Sequence, residues 1–95
     1  MPKYISLLTF TETGARAIKK STKRAHAFDN AAKKAGVTIV GQYWTVGDYD
    51  GVLILEAAKP EDALHCLAEL VSAGNVTTKT AQLFTDAEFD AILGH

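Results

Sequence analysis

The most constraining feature of this sequence is a set of four short segments that are apolar on both faces of a β-strand. Lys3 to Phe10 (KYISLLTF), Val37 to Val46 (VTIVGQYWTV), Val52 to Ala57 (VLILEA) and Val76 to Phe84 (VTTKTAQLF) are rich in β-branched and aromatic residues and are bounded by turn formers. Successive side chains on a strand point to opposite faces. Strand 1 then offers Ile5 and Leu7 on one side and Tyr4, Leu8 and Phe10 on the other. Strand 2 sets Ile39 and Tyr43 against Val40, Trp44 and Val46, and strand 3 sets Val52 and Ile54 against Leu53 and Leu55. Only strand 4, with Thr77, Thr78, Lys79 and Thr80, has a half-solvated pattern.

The segments between these strands read as helices. Thr11 to Ala35 has helix composition, with Thr11 or Thr13 as N-cap and Gly36 just past its end. Its buried stripe is Ile18, Ser21, Ala25, Phe28, Ala32 and Ala35. Ser21-Thr22 also fits a break with a fresh N-cap, giving a short helix and then a longer one. Lys59-Pro60-Glu61-Asp62 opens a second helix with proline first and acids in its first turn. Its stripe is Ala63, Leu64, Leu67, Leu70 and Val71, and Gly74-Asn75 ends it. Thr85-Asp86-Ala87-Glu88 is a capping-box pattern for a short terminal helix carrying Phe89, Ile92 and Leu93.

The order β-α-β-β-α-β predicts an α+β, ferredoxin-like fold: a four-stranded antiparallel sheet with two helices on one face. Two helices cover one face only. A second face this apolar would span several hundred Å² or more, which soluble monomers rarely leave bare. Either another copy of the chain packs on it, making a homo-oligomer, or the terminal helix folds back over it.

Length and composition bound the rest. With 95 residues, the chain reads as one domain over positions 1–95. Hydrophobic residues at 47% and charged residues at 22% place it among ordinary globular chains. A net charge of -1 argues against nucleic acid or a membrane surface as partner. One cysteine, Cys66, excludes an internal disulfide and reads as a structural thiol. No signal core and no run approaching the roughly 20 apolar residues of a bilayer span is present, so the cytoplasm is the expected compartment.

The run Gly47-Asp48-Tyr49-Asp50-Gly51 predicts a hairpin loop. If the loop is Gly47 to Asp50, Val46 pairs with Gly51 and Trp44 with Leu53. Trp44 then shares the helix-covered face with Leu53 and Leu55, while Tyr43 shares the opposite face with Ile54 and Glu56. A buried Glu56 would need a partner; at a wet strand end it would not. His26 and His65 lie off their helix stripes and His95 is the last residue, so no metal triad is visible in local spacing. Arg16, Lys19, Lys20, Lys23, Arg24, Lys33 and Lys34 make the first helix basic, a run that reads first as a solvated face.

The stretch Tyr43-Trp44-Thr45-Val46-Gly47-Asp48-Tyr49-Asp50 resembles the signature of the GYD-domain family, with Gly47, Tyr49 and Asp50 in the matching positions. Thr13-Gly14, Arg24, Pro60 with Glu61-Asp62, and Gly74-Asn75-Val76 extend the resemblance along nearly the whole chain. A proline expected ahead of Arg24 is replaced by Ser21-Thr22-Lys23. The resemblance implies a dimeric α/β-barrel assembly and little about activity. Three readings follow. The first is a homo-oligomeric barrel that binds a small apolar or aromatic metabolite without a cofactor or metal, through Tyr4, Tyr43, Trp44, Tyr49 and Asp50, with Arg24 as an anion contact. The second is a cofactor-independent monooxygenase- or isomerase-like enzyme, with Tyr49, Asp50 or His26 moving a proton. The third is a stress-associated assembly module with no small-molecule site.

Overall fold

The chain folds into four strands and four helices in the order β-α-α-β-β-α-β-α, and the computed structural model describes residues 1–95. The strands are β1 (Lys3–Phe10), β2 (Thr38–Trp44), β3 (Gly51–Glu56) and β4 (Val76–Leu83). The helices are α1 (Glu12–Arg16), α2 (Ser21–Lys34), α3 (Pro60–Ser72) and α4 (Asp86–Leu93). The sheet is antiparallel, in the order β2-β3-β1-β4. With its two main helices on one face this is the ferredoxin-like arrangement. No helix is long and apolar enough to cross a membrane.

The register assigns the faces. Tyr4, Ser6 and Leu8 lie across from Leu55, Leu53 and Gly51 on the side that α2 and α3 cover. Tyr4, Leu53 and Leu55 join Ala32 of α2, Val37, Ala57, and Ala63, Cys66 and Leu67 of α3 in the core. Ile5 and Leu7 lie across from Ile54 and Val52 on the other, open side, where each is only half-buried. Tyr43, paired with Val52, adds its ring to that side and is 60% exposed.

The first helix is broken. Thr11 caps α1, its hydroxyl accepting from the Gly14 amide at 3.1 Å. A 3-10 turn, Ile18–Lys20, then separates α1 from α2. Ser21 does not cap the new helix; its hydroxyl donates backward to the Ile18 carbonyl at 2.7 Å. Arg24 secures the break, donating from Nη1 to the Ala17 carbonyl at 2.8 Å and from Nη2 to Ser21 Oγ at 3.4 Å. Carbonyls freed where a helix ends need such donors.

Strand 2 departs from simple alternation. The register shifts between Ile39 and Gly41, so Ile39 faces the helices opposite Leu55 while Gly41 faces the open side opposite Ile54. Ile39 and Tyr43 therefore occupy opposite faces, because the extra residue of the bulge inverts the side-chain order. In α3 the buried residues are Ala63, Cys66 and Leu67, with Leu64 70% and Val71 41% exposed. Burial, and then the charge of Glu69, push the Cys66 thiol up, as suits an inert core position.

Helix α4 does not fold back over the open face. The capping box forms, Thr85 Oγ1 accepting from the Glu88 amide and a Glu88 carboxylate oxygen accepting from the Thr85 amide. Gly94, in the left-handed region at φ 84°, closes the other end. Yet every residue of α4 is exposed. The chain is elongated accordingly, with a radius of gyration of 14.2 Å, against roughly 12 Å for a compact domain of this length.

Candidate functional site

Between α2, α3 and the end of the sheet near the β2–β3 hairpin lies a cavity of about 380 Å³. Its walls are largely apolar, with Leu8, Phe28, Leu53 and Leu70 prominent, and Arg24, Gln42, Asp50 and Glu69 supply its polar groups. This volume falls within the range of small-molecule sites, about 300–1,000 Å³.

Four of the residues singled out from sequence border this cavity, Arg24, Tyr43, Trp44 and Asp50, although the Tyr43 ring itself turns to the open side over Gly41. Trp44 is 49% exposed instead of buried in the core. It is the last residue of the edge strand β2 and pairs with Gly51, so neighbours cover it from one side only. Its face is the one expected, but the pairing is offset by two residues because the hairpin loop runs from Thr45 to Asp50.

Tyr4 and Tyr49 lie elsewhere. Tyr4 lines a second cavity of about 340 Å³ beneath α3, with Leu67, Thr78 and Thr80. Its hydroxyl is buried with no protein group within hydrogen-bond reach. Tyr49 is half-buried at the open side, where Lys79 Nζ stands 6.0 Å from its ring centroid.

Asp50 is engaged in the fold on three counts. Its Oδ2 accepts from the Phe10 amide at 2.8 Å. Its own amide donates to the Leu8 carbonyl at 2.8 Å, and its carbonyl accepts from the Thr45 amide at 3.0 Å. Thr45 Oγ1 closes the loop on the Tyr49 carbonyl at 2.5 Å. The signature aspartate thus ties the hairpin to the end of β1. Asp50→Ala will orphan the Phe10 amide and lower stability by about 1–3 kcal/mol. Asp50→Asn, which keeps an acceptor, will lose less. Urea denaturation of the two variants measures the difference.

The other polar residues are accounted for locally. Glu56 pairs with Lys3, its register neighbour, at 3.6 Å; at a partly wet strand end such a pair contributes little. His65 meets Glu69 at 3.7 Å on the exposed side of α3, and His26 lies off the cavity on α2. No three His, Cys, Asp or Glu side chains converge as a metal ion would require. Gln42 is a cavity residue that sequence reasoning passes over; its amide nitrogen donates to the Ala25 carbonyl at 3.4 Å, joining β2 to α2. The available signal is a lone amide on an otherwise apolar strand face.

Two segments of the family-like pattern meet just past the end of β1. Thr11 donates its amide to the Asn75 carbonyl at 3.0 Å and its hydroxyl to the Gly74 carbonyl at 2.6 Å. Gly14 sits so close to this loop that a Cβ there would stand 2.0 Å from the Asn75 carbonyl oxygen. Thr11 and Gly14 of the first helix and Gly74-Asn75 before β4 therefore form one clasp.

A family model described as the GYD domain matches residues 4–93. A relative in Thermus thermophilus is 32% identical over 94 residues, spanning 98% of this chain and 99% of its own length. It is named glutamine synthetase and cystathionine beta-lyase binding protein. The crystal structure of TTHA0845 from Thermus thermophilus superposes with a TM-score of 0.58, covering 90% of this chain and 95% of its own at 18% identity. That likeness speaks to the fold.

Proposed function

This chain belongs to the GYD-domain family, and from that premise we propose that it is a homodimeric binding module whose main occupants are other proteins. The observation that carries this reading is the open face of the sheet. Ile5, Leu7, Val52 and Ile54 form an apolar surface that nothing in the chain covers. A second copy, set face to face by a two-fold axis, removes both surfaces from water at about 25 cal/mol per Å². The helices are then left outermost. From Glu12 to Lys34 they carry seven Lys and Arg residues against Glu12 and Asp29, a cationic surface suited to an acidic protein partner. The relative whose name records binding to glutamine synthetase and cystathionine beta-lyase supports protein partners for this chain as well.

Native mass spectrometry tests the first half: a dimer mass supports it, and a monomer at micromolar concentration overturns it. Binding to glutamine synthetase from the same host, measured by interferometry at low and high salt, tests the second. The expected result is an association that weakens with salt, whereas no association at either salt rejects the protein-partner half.

The apolar cavity of about 380 Å³ favours a second reading, a small apolar or aromatic metabolite held between Phe28, Trp44 and Leu70, with Arg24 meeting an anionic end. A retained mass on the native dimer, lost in Phe28→Trp as the cavity fills, is the outcome this reading requires.

A further inference from the structure

Helix α4 is a finished element with nothing to pack against. It has eight residues, a capping box at its start and a left-handed glycine at its end. Isolated helices shorter than about 12–15 residues are marginal in water, and most helices draw their stability from a packed face. The packed face is missing here: Phe89, Ile92 and Leu93 are 55%, 63% and 52% exposed. At 3.6 residues per turn, or about 100° per residue, these three form one stripe. Glu88 and Asp90 flank that stripe on either side, while Ala87 and Ala91 form the back. Phe84, at the root of the helix, is 53% exposed as well.

The open sheet face is the complementary surface. Its centre is apolar, and it carries Lys3, Lys79 and a single acid, Glu56. Glu56 is already paired with Lys3, whereas Lys79 has only the ring of Tyr49. From Thr85 to the C-terminus the charged residues include Asp86, Glu88 and Asp90 but no lysine or arginine. An acid-flanked apolar helix and a lysine-bearing apolar face match in charge and in chemistry. Within one chain they do not meet, since the stripe of α4 stays exposed.

We propose that α4 is an intersubunit arm, laying Phe89, Ile92 and Leu93 on the open sheet face of a second copy, with its flanking acids toward that copy's Lys79. The inference rests on the homodimer reading above and adds to it. Two-fold symmetry makes the exchange reciprocal, so each copy gives one arm and receives one. The arms extend the sheet-on-sheet contact and bury apolar surface that face-to-face packing alone leaves wet.

The test uses the full chain with Ile92→p-benzoylphenylalanine, mixed as 14N- and 15N-labelled subunits and irradiated. The expected products are mixed-isotope cross-links from position 92 to the open-face side of β1, β3 or β4. Cross-links within one chain, links to the α2–α3 side, or none in a sample that remains dimeric overturn the arm. A monomeric sample instead removes the dimer, and the arm with it. As a second measurement, Phe89→Ser/Ile92→Ser should leave the circular dichroism spectrum at low temperature unchanged and raise the dimer dissociation constant at least tenfold. An unchanged dissociation constant rejects the proposal.

Discussion

Gly14→Ala will lower the melting temperature by roughly 4–16 °C, as overpacking against backbone does in a small domain. A new Cβ at this position lies 2.0 Å from the Asn75 carbonyl oxygen and 2.9 Å from its carbonyl carbon. Both are backbone atoms, so no side chain can swing aside. Nor can the loop retreat cheaply, since the Asn75 carbonyl accepts from the Thr11 amide and the Gly74 carbonyl from its hydroxyl. Overpacking of this kind costs about 1–3 kcal/mol, and more where backbone must shift. Alanine regains up to about 1 kcal/mol of helix propensity over glycine, but α1 spans only Glu12–Arg16 and the clash outweighs that gain. For a domain of roughly 60–100 residues, each kcal/mol moves the melting temperature by about 4–8 °C. Thermal unfolding followed by circular dichroism measures the shift. An unchanged or raised melting temperature would falsify the clasp as a constraint on the fold.

That clasp also shows where sequence reasoning reaches and where it stops. Thr13-Gly14 and Gly74-Asn75 are visible as family-like segments, but nothing local says that positions so far apart in the chain share a contact. Element order, the capping box of α4 and the proline start of α3 are legible because each rests on local backbone chemistry. The β2–β3 register is half legible. Alternation fixes which face Tyr43 and Trp44 take, yet the pairing slips by two residues because Thr45 and Val46 join the loop, held by Thr45 hydrogen bonds to the backbone of Tyr49 and Asp50. The bulge between Ile39 and Gly41, which transfers Ile39 to the helix side, is not legible from alternation.

The candidate site is legible in the same uneven way. Arg24, Tyr43, Trp44 and Asp50 gather on one cavity. Composition does not reveal that Asp50 commits a carboxylate oxygen to the Phe10 amide, or that Arg24 commits two donors to the break before α2. Both therefore hold the cavity walls in place whatever else they bind. Tyr4 has the residue type of a site residue, but its position on central strand β1 carries it under α3 instead.

If two copies pack face to face as proposed, Ile54→Asp will leave a folded monomer. Ile54 lies on central strand β3, between Ile5 of β1 and Gly41 of β2, near the middle of the open face. In the single chain this position is only half-buried, so a carboxylate there keeps contact with water. The loss of β propensity and packing is then about 1 kcal/mol. The face-to-face dimer is different. In the proposed arrangement a two-fold axis would bring two such carboxylates into one apolar interface, each stripped of water, with Ile5 and Gly41 as its register neighbours. The effective penalty is several kcal/mol per ion even after relaxation. At about 1.4 kcal/mol per tenfold change, the dissociation constant rises by about a thousandfold or more. Sedimentation velocity at micromolar concentration will show a monomer, while circular dichroism keeps the spectrum of the parent chain. Ile54→Val, which keeps the surface apolar, will remain dimeric. A well-folded Ile54→Asp that still sediments as a dimer would place the contact on another surface, and the open face would then need a different occupant.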